Sequence, residues 1–208
     1  AALPQAAQAM LTAGACIVLG AVAALRRNKI IDKVIMVIST AFVSMPSFIM
    51  GTLLLLMFAV IFPIFPANGS TAEGLVLPII TLSLSPMANI TRLTRSSMLD
   101  VLGQDYIRTA KAKGVSGMKI IFKHALKNAL IPVITYVGPM LAYIVTGSLV
   151  VEQIFAVPGI GRSFVSSIIN RDYTMIMGFP GTTNRFVTSY GLEEVMDITN
   201  KLRYEIRT

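Results

Sequence analysis

The 208-residue chain has one cysteine, one histidine and no tryptophan, and only 13% of its residues are charged. A single thiol, Cys16, set inside an apolar run, leaves no disulfide framework and no thiolate metal site. The lone His124 has no companions for a metal centre and reads as a polar surface or helix-end residue. Charge is missing altogether from residues 1–25, 34–72 and 128–151, and a bilayer-spanning helix needs only about 20 mostly apolar residues. With 54% hydrophobic residues and a mean hydropathy of +0.72, the chain holds more apolar material than one soluble core of this size uses. It reads as a polytopic membrane protein.

Further absences narrow the function. No Gly-x4-Gly-Lys-Ser/Thr run is present, so the chain has no phosphate-binding loop of its own. The uncharged stretches offer no paired carboxylates for a proton relay, which argues against an ion-coupled transporter. Ser39, Ser44, Thr81, Ser83 and Ser85 lie among apolar residues without paired His, Asp or Glu, and fit helix packing or the lining of a pathway better than a membrane-embedded catalytic site. No catalytic or metal-ligating residue is expected. The net charge of +8 is gathered in two clusters between apolar runs rather than over a face with interleaved aromatics, so nucleic acid is not an expected partner.

Four spans are expected: residues 6–25, then 34–62 with a tilt or a bend at Pro46, then 75–91 kinked by Pro78 and Pro86, then 128–151. Arg26, Arg27, Lys29 and Lys33 outnumber Asp32 in the first connection. Between Arg92 and Lys127, eight basic residues face only Asp100 and Asp105. Lys- and Arg-rich loops stay in the cytoplasm, and two crossings separate these loops, so both fall on one side. The poorly charged turn 63–74 and the region after Glu152 then face outward. The chain starts Ala-Ala-Leu-Pro without Met or a basic leader and is expected to be truncated at its start. Its end, 179–208, balances four basic against four acidic residues, and "GLEEVMDITNKLRYEIRT" has the apolar spacing of a soluble amphipathic helix. The expected division is a transmembrane domain over 1–178 and a polar tail over 179–208.

The basic segment has internal order. "YIRTAKAKG" predicts a short helix stopped at Gly114, a residue suited to the positive φ of a helix C′ position. A second helix is predicted from near Ser116, with Met118, Ile121, Phe122 and Ala125 on one face and Lys119, Lys123 and Lys127 on another. An apolar stripe on the cytoplasmic side needs a cover: the membrane surface, another part of the chain, or a partner groove.

"DYIRTAKAKGVSGMKIIFKHALKNALIPV" resembles the signature loop of binding-protein-dependent ABC transporter permeases in its peptide-transporter form. The superfamily pattern is Glu-Ala-Ala, three residues, Gly, nine residues, then Ile-x-Leu-Pro. Aligned on Gly114, this chain has Arg108, Thr109 and Ala110 at the first three positions and His124, Ala125, Leu126 and Lys127 at the last four. The Glu, first Ala, Ile and Pro are thus replaced, in the manner of dipeptide and oligopeptide B-type permeases. "SMPSFIMGTLLLLMF", "LPIITLSLSPMANITRLTRSSMLDVLGQDYIRTAKAKG" and "TGSLVVEQIFAVPGIGRSFVSSIINRDYTMIMG" resemble the family in the same order, so the likeness covers roughly residues 6–178.

The resemblance implies an all-α, polytopic helical bundle of the type I ABC importer permease kind, in a bacterial inner membrane, with a cytoplasmic coupling-helix loop. It implies a second homologous permease subunit, two ATPase subunits that bind ATP and Mg, and an extracytoplasmic solute-binding protein that delivers a peptide. No cofactor is implied for this chain. The expected ATPase contact is Tyr106 through Lys127, with Gly114 as turn and Met118, Ile121, Phe122 and Ala125 as anchors; Gly114 to a bulky residue, or Ile121→Asp, is expected to uncouple ATP hydrolysis from uptake. Glu152, Pro158, Gly159, Gly161 and Asp172 are implied to shape an outer loop that dips toward the pathway, although Glu152 and Asp172 read equally well as interfacial charges that end one helix and cap the next segment. The family carries one further span before this region and one after it. A nickel or other small-solute permease, or a channel or scaffold subunit without ATP coupling, stays open as an alternative.

Overall fold

The computed structural model describes residues 2–146 and 148–178; the predicted amphipathic tail helix lies outside the described residues. Among the described residues all regular structure is helical. The first helix, α1 (Ala2–Leu25), stops at a turn in which Asn28 adopts φ 64°, a left-handed conformation that asparagine tolerates better than most residues. The Asn28 N–H donates to the Asp32 carboxylate at 2.9 Å, so the acid in the first turn of α2 (Ile30–Ser44) also fixes the turn before it.

Between α2 and α3 (Ser47–Leu55, continued by a π-helical turn Leu56–Ile61) the chain bends by 101°. Met45 is extended, with φ −86° and ψ 124°. The following Pro46 forces that geometry by crowding the α conformation of its predecessor. The expected long span is therefore two helices at a sharp angle. After the turn 63–74 and a 3₁₀ turn at Glu73–Leu75, the chain returns along α4 (Val76–Leu102).

The 27 residues of α4 extend about 40 Å, against about 30 Å of bilayer hydrocarbon. The expected end of this span at Thr91 is too early: α4 runs on for three more turns, carrying Arg92 and Arg95 on the helix rather than in a loop. Pro78 sits in the first turn, where no backbone donor is needed; Pro86 lies in the interior of a helix that stays one element.

After α4 come α5 (Asp105–Ala112), the short α6 (Gly117–Lys119), a π-helical stretch Ile120–Leu126 and α7 (Lys127–Thr146). The loop's second helix thus runs directly into the next span. That span was expected to reach Val151, but α7 ends at Thr146 and a separate short helix, α8 (Leu149–Ile154), follows, then α9 (Ile160–Ile169). Glu73–Leu102 and Gly117–Val137 are each long and apolar enough to cross a membrane, and the bent α2–α3 pair makes a third if it is one span.

The long helix α4 is the hub, packing against α1, α2, α3, α7 and α8. Contact with α1 is close at Gly20, where a Cβ would lie 2.6 Å from the Thr91 carbonyl oxygen and 2.7 Å from Thr94 Cβ. Three buried clusters mark successive levels. Leu77, Val151 and Phe155 hold one end; Cys16, Ile90, Val133 and Met140 fill the middle; Ala24, Met98, Ile107, Ile120, Ala125 and Ala129 hold the basic end. The poorly charged turn 63–74 joins the first of these, with the Gly69 N–H donating to the Phe155 carbonyl at 2.7 Å.

The basic loops meet at the other end. Arg95 Nε and Nη2 donate to the two carboxylate oxygens of Asp32 at 2.5 and 2.8 Å. This pair ties the start of α2 to the last turns of α4 and puts both Lys- and Arg-rich segments at one level of the bundle. In the sequence Asp32 is only a minority charge in a basic loop.

Candidate functional site

At the basic end, α5 closes on a local signal. Gly114 has φ +76°, its N–H donates to the Lys111 carbonyl at 3.0 Å, and the Val115 N–H donates to the Ala110 carbonyl at 3.2 Å. This is the paired 6→1 and 5→2 pattern of a Schellman stop, and Val115 packs on the basic-end cluster as the residue after such a stop commonly does. A Cβ at position 114 would meet nothing within 4 Å, so glycine is required by backbone conformation and not by space. Gly114→Asn is therefore expected to keep near-normal transport in the assembled complex, whereas Gly114→Val, which strains a β-branched residue at positive φ by about 1–2 kcal/mol, should lower it severalfold. Equal activity of the two would contradict this.

The face expected from α-helical spacing is divided. Met118 and Phe122 are 65% and 61% exposed, whereas Ala125 is fully buried and Ile121 half-buried. Ile120, which α-helical spacing does not mark, is buried at 2% exposure. The cause is the π winding of Ile120–Leu126: bonds spaced i→i+5 bring Ile120 and Ala125 to one side. These two, with Ile107, glue the loop to α1 and α4, while Met118 and Phe122 stand outward beside the exposed Lys119 and Lys123.

The other expected contact residues divide in the same way. Tyr106, Arg108, Thr109, Gly114 and Lys127 are exposed, and Ala110, His124 and Leu126 are half-buried. Asn128 Nδ2 donates to the Tyr106 hydroxyl at 2.8 Å and to the His124 carbonyl at 3.1 Å, which braces α5 against the start of α7. The Arg108–Asp105 pair, at 3.6 Å between well-exposed side chains, adds little.

At the opposite end the Glu152 carboxylate caps the next segment, reaching a backbone N–H in the first turn of α9. Its Oε2 accepts from the Gly161 N–H at 2.7 Å and its carbonyl accepts from the Val157 N–H at 3.0 Å. A Cβ at Gly159 would fall 2.4 Å from the Glu152 carboxyl carbon, and one at Gly161 2.8 Å from its Oε2. The glycines leave room for the carboxylate, around which the Val157–Gly161 turn is folded; Pro158 is exposed on it. Asp172 belongs to a separate local structure, its Oδ1 accepting from the Met175 N–H at 3.2 Å, as a capping acid does.

Between the two ends lies an open cavity of about 650 Å³. Its wall includes Pro46 and Ser47 at the α2–α3 break, Ser85, Pro86 and Asn89 of α4, and Tyr136 of α7. Every lining residue is uncharged. Of the hydroxyls noted in the sequence, Thr81 and Ser85 line it; Ser39 is buried, Ser83 Oγ is spent on the Ile79 carbonyl at 2.7 Å, and Ser44 is exposed. Asn89 and Tyr136 do not stand out in the sequence, because each is one ordinary polar residue among several on its helix.

Helices α4 and α7 both run from this cavity to the basic loop, with no break in α4 and only a change to π winding below α7. A displacement of the loop's buried face therefore acts directly on two cavity walls. An uncharged cavity at one level is thus joined by continuous helix to the basic loop at another.

The chain belongs to the family of binding-protein-dependent transport system inner membrane components, whose model matches residues 16–191. It is thus an inner-membrane component of a transport system, from a family of transport permease subunits. It is similar to the dipeptide transport system permease protein DppB of Bacillus subtilis (strain 168), with 56% identity over 163 residues, 78% of this chain and 53% of the relative. It is also similar to the oligopeptide transport system permease proteins OppB of Haemophilus influenzae, with 46% identity, and of Salmonella typhimurium, with 44%. Each of these matches spans 161 residues, 76% of this chain and 53% of the relative. The chain spans about half the length of these curated relatives.

Proposed function

We propose that the chain forms half of a peptide translocation pathway and transmits to it the movement of ATPase subunits seated on the basic loop. The observation that carries this reading is continuity: the walls of the uncharged cavity, α4 and α7, end in the same buried cluster that holds the loop bearing Met118 and Phe122. Relatives named for dipeptide and oligopeptide transport favour peptides over nickel or another small solute as cargo.

In this reading ATP and Mg are bound by the partner ATPase subunits, and this chain supplies a contact whose energy differs between the outward- and inward-open states. Only such a difference lets nucleotide-driven closure shift the permease equilibrium. Ile107, Ile120 and Ala125 keep the loop fixed to the bundle, so that motion is passed on and not absorbed. A second permease subunit completes the passage, and an external solute-binding protein delivers cargo to the end that carries the Glu152 turn. The test is reconstitution of the full complex in liposomes, with the ATPase rate followed as peptide-loaded binding protein is added. A severalfold rise that depends on the peptide supports the reading; a rate indifferent to peptide contradicts it.

A further inference from the structure

We propose that the cavity at the α2–α3 break is a subsite for the main chain of a translocating peptide, recognising its amide groups and not its side chains. The inference rests on the peptide reading above and adds the place and chemistry of recognition. Two prolines line the same cavity, Pro46 in the break between α2 and α3 and Pro86 within α4. Neither residue has an N–H, so the carbonyls of Phe42 and Leu82, one turn earlier, lose the donors an unbroken α-helix would supply. Leu82 itself lines the cavity. Freed carbonyls at membrane depth persist where they line a water-filled or ligand-bearing space.

Asn89 of α4 and Tyr136 of α7 line the same cavity. A carboxamide both donates and accepts, and so does a phenol. With Ser47 and Ser85 beside them, the wall offers acceptors for peptide N–H groups and donors for peptide carbonyls. It offers no charge that would select an acidic or basic side chain. The volume of about 650 Å³ falls within the range of about 300–1,000 Å³ found for small-ligand sites. A neutral amide ligand of variable side chains matches every part of this list.

The experiment uses the complete transporter in liposomes with Cys16, which is buried, replaced by Ala, and with Val43→Cys, at a lining residue outside the polar set, as the reporter. Trialanine is the probe peptide and a water-soluble maleimide the label. Labelling of the engineered thiol is expected, and saturating trialanine should slow it at least fivefold. Adding Asn89→Leu or Tyr136→Phe should abolish that protection while leaving the peptide-free labelling rate as it was, which separates lost recognition from lost folding. A thiol that does not label, as in a lipid-filled cavity, or that labels equally fast with and without trialanine, overturns the subsite. The two failures are distinct: a complex that imports trialanine without protecting the thiol contradicts only this proposal, whereas one that imports no peptide contradicts the peptide reading.

Discussion

Phe122→Asp in the assembled transporter should lower peptide uptake by more than tenfold while the purified permease remains folded. Phe122 is 61% exposed and absent from the buried clusters, so a carboxylate there meets water in the isolated subunit and costs it little. Against a partner's apolar groove the same carboxylate would be desolvated without a counter-charge, a penalty of several kcal/mol. Ile121→Asp, the substitution the sequence favours, is a poorer test. Ile121 packs against the basic-end cluster, and a charge there loosens the loop from its own bundle before any partner is involved. Phe122→Leu should restore most uptake, since the contact asks for apolar volume. Uptake and thermal stability measured on the same preparations decide the matter; a loss of stability that parallels the loss of uptake would place Phe122 in this chain's core instead.

The second large effect is expected at Arg95. Arg95→Ala leaves the Asp32 carboxylate, whose side chain is 3% exposed, with the Asn28 N–H as its remaining hydrogen-bond donor among the contacts that hold it now. Breaking a buried pair from one side costs about 3–5 kcal/mol, enough to shift the unfolding midpoint in detergent by many degrees. Asp32→Ala should cost less, because the guanidinium it strands is 21% exposed and reaches water. Arg95→Lys should rescue little, since an ammonium cannot reproduce the two-pronged contact of a guanidinium with both carboxylate oxygens. The double variant should recover part of the loss by removing the stranded charge. Unfolding midpoints of the four variants check the ranking, and equal values for Arg95→Ala and Asp32→Ala would contradict it.

What could be read from sequence was local. The stop at Gly114 depends on a few neighbouring residues and one φ angle, and the apolar runs that become α1, α4 and α7 are lengths of chain without charge. The break at Pro46 was legible for the same reason, though not its angle. What escaped was set by distant partners or by a change of helical period. Asp32 and Arg95 are 63 positions apart, and nothing near either marks the other. The backbone partner of the Glu152 carboxylate, the Gly161 N–H in the first turn of α9, lies nine residues on. Arg92 and Arg95 suggested a loop, yet a helix longer than the bilayer carries them out of it. The loop's apolar stripe is divided: Met118 and Phe122 are outward, but π winding moves Ala125 inward with Ile120, a pairing that spacing of three or four residues does not anticipate.

The Asn89–Tyr136 pair shows the same limit from the functional side. Each residue alone is an ordinary polar side chain on an apolar helix, and only the packing of α4 against α7 brings them to one wall. The cavity and its continuous walls are therefore properties of the assembled bundle, while the signature loop is a property of one segment.

The most direct measurement is crosslinking of the lever to its driver. With Cys16 replaced by Ala, Met118→Cys and Phe122→Cys should each form a short-range crosslink to single cysteines lining a groove of the ATPase subunit, and the yield should change between nucleotide-free and ATP-bound complexes. Lys111→Cys, exposed on the neighbouring helix α5, calibrates proximity without apolar contact. A nucleotide-dependent crosslink at positions 118 and 122 is the predicted result; thiols at those positions that react only with reagents outside the cell, or never reach the ATPase in any nucleotide state, would contradict the account.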